Sequence, residues 1–427
     1  MDINFHYYTV KALAVYAGFS EEYSQLIAEY SQFTDDCSLR GTLSVNWAPQ
    51  EAIDCGISTQ IGSSFKTKLL PTGFSMFDTV SLLAYPDLCR QILVSFHFIP
   101  AQGALPMDKH AAVMPAKPRD NDLINRLLEK KRQKYKADLT SGSDNILKAD
   151  LVQIGVLLHV FSDTYAHQLF SGDHCRDINA YRIEKVTEHS SSGEEKDVTQ
   201  QYRGIGDYYS FLPAIGHATV GHAPDVCNVS FSIRHQDKPA IVYSRDNRDT
   251  FLTAAEYIYD YLCSCNESSS NIAFSELRPK LLQGFYANSF DISEMTDIWS
   301  SIFPDIQFYY DKTTVLERLF LNGVPSQLSE DSPGEMIEAS DKIYELGPEF
   351  YPFTLLANEV RTMVSSIPYY SFLIIFRCSK FIKCRTRNCL YKCPFRYPKR
   401  LSKGHRQSKS YLFTSPIMPI TQIKNIP

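Results

Sequence analysis

The sequence predicts a mainly α-helical protein: one multi-helix domain with long loops, followed by a basic C-terminal tail. Three observations carry that expectation. Leu151–Gly172 is apolar almost all round, the pattern of a helix inside a core. Asn4–Ala17 and Glu21–Phe33 read as two helices whose short connection requires antiparallel packing. Arg248–Cys265 is amphipathic at helical period, with Asp249 as its cap.

In the first hairpin, Gly18 stops one helix and Ser20 caps the next. The fold-back near Phe19 brings His6 toward Asp35 and Asp36. Cys37–Lys68 is rich in Ser, Thr and Gly and reads as loops with short extended pieces. Leu69–Pro100 turns apolar and ends in FHFIP, where an alternating segment would set His97 opposite Phe96 and Phe98. Asn121–Lys136 is a charged, exposed helix, and Asp173–Asp207 a polar surface insertion. Cys227–Tyr243 suggests a short hairpin. Helical stretches follow at Phe274–Tyr286, Ser293–Ile302, Thr313–Leu321 and Met336–Ser365. We place the domain at 1–360 and the tail at 361–427.

The tail changes texture abruptly. Fourteen of the 43 Lys and Arg follow Glu359, where there is no Asp or Glu, so residues 1–359 hold 29 basic against all 48 acidic side chains. An acidic body is a poor host for nucleic acid unless bound cations invert the local field. The tail could touch acidic lipid or RNA. Its Cys378, Cys384, Cys389 and Cys393 match no standard zinc spacing. Eleven cysteines and no basic-then-apolar N-terminal run imply reduced thiols and a cytoplasmic location. No stretch approaches 18 consecutive apolar residues, so no membrane span is expected.

The chemistry lies in the histidines. On the central helix His159, Asp163 and His167 are spaced four apart, so they share one stripe spanning about 12 Å. A buried carboxylate among imidazoles needs a partner or a metal. A satisfied His–Asp pair explains this stripe alone about as well as a ligand set does. Around it stand His6, Asp35 or Asp36, His97, and the Gly-rich FLPAIGHATVGHAPDV with His217, His222 and Asp225. His110, His174, His189, His235 and His405 lie in polar stretches and are expected to face solvent. There is no HExxH, His-Asp dipeptide, GxSxG, Walker loop or GxGxxG, which removes several hydrolase and nucleotide-binding classes.

This order — His, Asp, His, His-x3-Asp on a central helix, then two more His — resembles the zinc-dependent phospholipase C and single-strand nuclease superfamily over residues 1–225. The blocks MDINFHYY, QFTDD, FHFIP, SDTYAHQLFSG and PAIGHA also resemble a largely uncharacterised bacterial family. The superfamily resemblance implies a phospholipase C/nuclease-like helical fold and two or three Zn2+ ions. It assigns His6 with Asp35 or Asp36 to one ion, His97, His159 and Asp163 to a second, and His167 and His217 to a third. Asp35 or Asp36 would hold the attacking water as base. The superfamily's N-terminal Trp ligand has no counterpart in Met1-Asp2, and Gly221 stands four after His217, so His222 or Asp225 would complete the third set. The implied function is zinc-dependent hydrolysis of a phosphoric ester, a phosphodiester of phospholipid or nucleic acid, by a metal-activated water. The alternatives are a non-catalytic interaction or toxin-like protein with a structural metal, and a metal-free body with a lipid- or RNA-binding tail.

Overall fold

The computed structural model describes residues 1–74, 90–100, 113–116, 123–140, 143–203, 214–266, 272–287, 289, 291–325 and 342–366. Most of the tail, with its four spaced cysteines, and His110 and His405 lie outside these residues. The chain opens with a π-helical turn, Asn4–Thr9, that runs into α1 (Val10–Tyr16). Helix α2 (Glu21–Asp36) follows, the Ser20 hydroxyl accepting from the Tyr23 N–H. Then come β1 (Gly41–Val45), α3 (Gln50–Asp54), β2 (Ser58–Ile61) and β3 (Ser64–Leu69). A second π-helical segment spans Arg90–His97. Helices α4 (Leu123–Leu139) and α5 (Asp144–Ala166) precede α6 (Arg176–Asn179). Strands β4 (Tyr181–His189), β5 (Glu195–Asp197), β6 (Val229–His235) and β7 (Val242–Asp246) come next. The chain finishes with α7 (Asn247–Asn266), α8 (Phe274–Phe285), α9 (Ile292–Ile302), α10 (Lys312–Leu319), β8 (Ile343–Tyr344) and α11 (Phe350–Ser365).

Helix α5 is the hub. Its Leu151, Ile154, Leu157, Leu158 and Val160 are fully buried, and α2, α4, α7 and α11 pack around it. Helix α2 crosses closely at Gly155, where a Cβ would lie 2.4 Å from the Ile27 carbonyl oxygen. Helix α5 is long and apolar enough to cross a membrane by composition, yet 72% of that stretch is buried inside the fold. It is a core helix.

The expectation of a mainly α protein is corrected by two four-stranded sheets: the fold is an α/β mixture. One sheet has the order β2-β3-β1-β8, antiparallel except for the parallel β1–β8 edge. Its β1, β2 and β3 come from the stretch read as loops with short extended pieces, and β8 from residues read as helix. The other has the order β5-β4-β6-β7, antiparallel throughout. Strand β4 comes from the stretch read as a surface insertion. Its period-two pattern is broken by a bulge between Ile183 and Lys185, so Val186 rather than Lys185 turns inward. Strand β6 alternates cleanly, with Val229, Phe231, Ile233 and His235 buried. Two histidines expected at the surface are therefore inside: His189 donates to or accepts from Ser230 Oγ at 2.9 Å, and His235 Nε2 donates to the Asp177 carbonyl at 3.1 Å. Helix α4 is not simply exposed, for Leu123, Leu127, Leu128 and Tyr135 are buried.

Candidate metal centre

Four segments distant in sequence converge on α5. His6 sits on the first π-helical turn, held by Asn4, whose amide donates to the Gly284 and Ala287 carbonyls and accepts from the Trp299 indole. Asp35 lies at the end of α2, and His97 ends the second π-helical segment. Such π-turns are rare and gather at functional sites, because the extra residue per turn re-aims side chains. The ligand atoms then close into overlapping groups within 4.8 Å: His6, His159 and Asp163; and Asp35, His97 and His159. The same limit holds for a further group, His167, His217 and Asp225. These His/Asp groups could hold metal ions.

The direction of the ring protons makes the argument for a cation. His97 Nε2–H is donated to the Thr72 carbonyl at 2.9 Å. In the neutral ring Nδ1 is therefore a bare acceptor, and it faces Asp163 Oδ2 at 3.1 Å, Asp35 Oδ1 at 3.5 Å and His159 Nε2 at 3.3 Å. Ser162 donates its hydroxyl to the His159 carbonyl, so His6 Nδ1–H is donated to Ser162 Oγ at 3.2 Å. His6 Nε2 is left facing Asp163 Oδ1 at 3.2 Å and Asp35 Oδ2 at 3.6 Å. His167 Nδ1–H goes to the His97 carbonyl, and His217 Nδ1–H to the Gly221 carbonyl. Their Nε2 atoms face Asp225 at 2.9 and 3.3 Å. Each of these four rings spends one proton on a fixed partner and turns a lone pair toward carboxylates, as metal-ligating histidines do. His159 Nδ1 is buried with no hydrogen-bond partner.

The charges agree. Burial pulls the His159 and His217 rings down to about 4, and burial with the neighbouring His159 holds His6 well below its usual range. These rings are neutral and ready to ligate. Burial works against ionising Asp163, yet His167, the Met1 ammonium, His159 and His6 outweigh it and hold the carboxyl well below the usual range. The Met1 ammonium lies 2.5 Å from Asp163 Oδ1 and 3.6 Å from Asp225 Oδ1 and supplies positive charge; Asp163 and Asp35 raise the His97 pKa against burial, the same pull they would exert on a cation at its Nδ1. Asp35 is the most open member of its group, its side chain 30% exposed. Burial, with the Asp163 charge, pushes it up to about 7 against the pull of His97.

The structure thus brings His6, Asp35, His97, His159, Asp163, His167 and His217 together, and the sets the resemblance implies stand within reach beside the overlapping groups: His97 Nδ1, His159 Nε2 and Asp163 Oδ2 lie within 3.3 Å of one another, and His6 Nε2 lies 3.6 Å from Asp35 Oδ2. Asp36 turns away and accepts from the Tyr310 hydroxyl. His222 is 85% exposed, its Nδ1 3.4 Å from Asp225 and its ring edge-on to His217; Asp225 itself closes the third group. Sequence reasoning missed the supporting parts. The Thr72 hydroxyl donates to the Thr34 carbonyl beside Asp35, and its own carbonyl anchors His97. A Cβ on Gly73 would overlap the Asp35 carbonyl oxygen at 1.7 Å. Phe98 stacks on His167 with ring centroids 4.4 Å apart. Leu169, two residues after His167, holds a left-handed φ of 76°.

A family model covering residues 1–366 matches the chain. The chain belongs to DUF6765, a family of unknown function. The matched span takes in every residue of the three groups and stops at the end of α11. No curated protein and no solved structure matches the chain.

Proposed function

We propose that this DUF6765 protein is a zinc-dependent hydrolase of phosphoric esters, acting on a phosphodiester of phospholipid or nucleic acid through a metal-activated water. The observation that carries the reading is His97: its Nε2 proton is committed to Thr72, and its lone pair meets two carboxylates and a second imidazole. An all-histidine-and-aspartate donor set suits zinc. The same residues stand in the order that resembles the zinc-dependent phospholipase C and nuclease superfamily.

His6, Asp35, His97, His159 and Asp163 would hold the zinc, which would supply a water of lowered pKa and offset charge on phosphate oxygens. The chain's own residues do the rest. His97, His159 and Asp163 are almost wholly buried; Thr72 fixes the His97 ring, and α5 carries His159 and Asp163 one turn apart. Asp35 is the carboxylate of these groups that solvent reaches most, so it takes the proton from the attacking water. Phe98 stacks on the His167 ring and lies beside that of His217, with ring centroids 4.4 and 5.8 Å away. A cation-filled centre also answers the acidic charge of residues 1–359, which alone would repel an anionic ester.

The test is metal analysis of the purified protein followed by hydrolysis of bis(p-nitrophenyl) phosphate and a panel of natural phosphodiesters. One or more zinc ions per chain, lost together with hydrolysis in His159→Ala, is the expected result. Zinc without hydrolysis of any ester would replace this reading with a structural metal site. Absence of any transition metal would end both.

A further inference from the structure

We infer that Arg245 and Asn247, neither of them a ligand, are the positioning residues that set the gap between His167 and Asp225. Arg245 leaves β7 with a side chain only 8% exposed, among Phe231 and Phe251, whose ring centroids lie 4.9 and 5.9 Å from it. Among the described residues no carboxylate lies within ion-pair distance of it, though Asp225 acts on it through space. A buried cation is costly unless its donors are used. Here they go mostly to backbone carbonyls. Nη1 donates to the Tyr165 and Ala166 carbonyls at 2.7 and 2.9 Å, the last residues of α5 before His167. Nη2 donates to the Pro224 carbonyl at 2.9 Å, immediately before Asp225. Nε donates to Asn247 Oδ1 at 2.8 Å.

Asn247 completes the clamp. Its buried amide donates to the Ala223 carbonyl at 2.8 Å and the Val226 carbonyl at 2.7 Å, so it brackets Asp225 from both sides. The two segments that carry His167 and Asp225 are otherwise far apart in sequence, and one Arg–Asn pair holds both. A cation at the C-terminus of α5 also complements the exposed carbonyls of that helix end. The ligand atoms themselves stand 2.9 Å apart. A planar fork with fixed donor directions is what such a spacing device needs, and Lys would not replace it.

This inference rests on the reading that His167, His217 and Asp225 hold an ion, and its test reads ion binding rather than turnover. Metal-stripped full-length protein is titrated with Zn2+, and bound metal is counted by mass spectrometry, for the parent, Arg245→Met, Asn247→Ala and His217→Ala. Asn247→Ala keeps the guanidinium contacts to α5 and is the variant expected to fold most readily. The expected result is that both clamp variants lose affinity at least tenfold for the same ion that His217→Ala loses, while the remaining ions bind as in the parent. Folded Asn247→Ala with the parent's isotherm, or uniform weakening of every ion, would overturn it. A parent that binds an ion at the His167 group and another at the His159 groups yet hydrolyses nothing would sink the hydrolase reading and leave the clamp standing.

Discussion

His97 and Asp163 face each other at 3.1 Å across a gap whose proton has been committed elsewhere, because the His97 Nε2–H is donated to the Thr72 carbonyl. A neutral imidazole and a carboxylate in that arrangement repel. The contact is favourable only when the ring is protonated or when a cation sits between them. A metal ion held there would compete with protons for the same atoms, so its binding would release protons.

Asp163→Ala should destabilise the metal-free protein by about 3–5 kcal/mol, because it strands the buried charge that the carboxylate now compensates. Urea unfolding in the presence of chelator measures this. A loss below about 1 kcal/mol would show that the carboxylate is not what holds the buried rings together.

Gly73→Ala should weaken the ion held by Asp35, His97 and His159 by roughly 10–100-fold while sparing the His167 group. The added Cβ meets the Asp35 carbonyl oxygen at 1.7 Å, so either Asp35 or the Thr72 carbonyl must move. Zinc titration of the stripped variant reads the effect. Unchanged binding in a folded variant would mean that this strap does not position Asp35.

Gly155→Ala should cost about 1–3 kcal/mol by overpacking the α2–α5 crossing. The Cβ would approach the Ile27 carbonyl oxygen at 2.4 Å and the Tyr30 Cβ at 3.0 Å. Thermal melting checks it, and a stability equal to the parent's would place the crossing elsewhere. His189→Gln, by contrast, lies on β4 outside the three groups and should leave metal content unchanged.

Asp150 supplies a pH signature. Its side chain is 1% exposed, and burial, offset by Lys134, pushes the carboxyl up to about 6 from a usual 3.8. A raised carboxyl pKa means that the folded chain holds this proton more tightly than the unfolded chain. The stability it contributes is complete below about pH 4 and is lost as pH rises through about 6. Asp150→Asn removes the titration. The stability of the variant relative to its parent should rise by about 2 kcal/mol between pH 4 and pH 7, read from urea unfolding of the stripped proteins. A difference independent of pH would contradict it.

The sequence by itself determined the core helix and the donors. An all-round apolar run can satisfy its surface only by burial, and a fixed 3.6-residue period places His159, Asp163 and His167 on one stripe. The α1–α2 turn was short enough to bring His6 to Asp35 without further information. Local pattern stops there. The π-helical turns that aim His6 and His97 leave no mark in hydrophobic periodicity, and the bulge in β4 hid a strand behind a broken alternation. Only the tertiary structure chose between Asp35 and Asp36, because Tyr310, remote in sequence, claims Asp36. It likewise chose Asp225 over His222 and put Arg245 between them and α5. These choices depend on backbone carbonyls meeting side chains from distant segments. Every residue has such a carbonyl, so no residue type announces which one will be used.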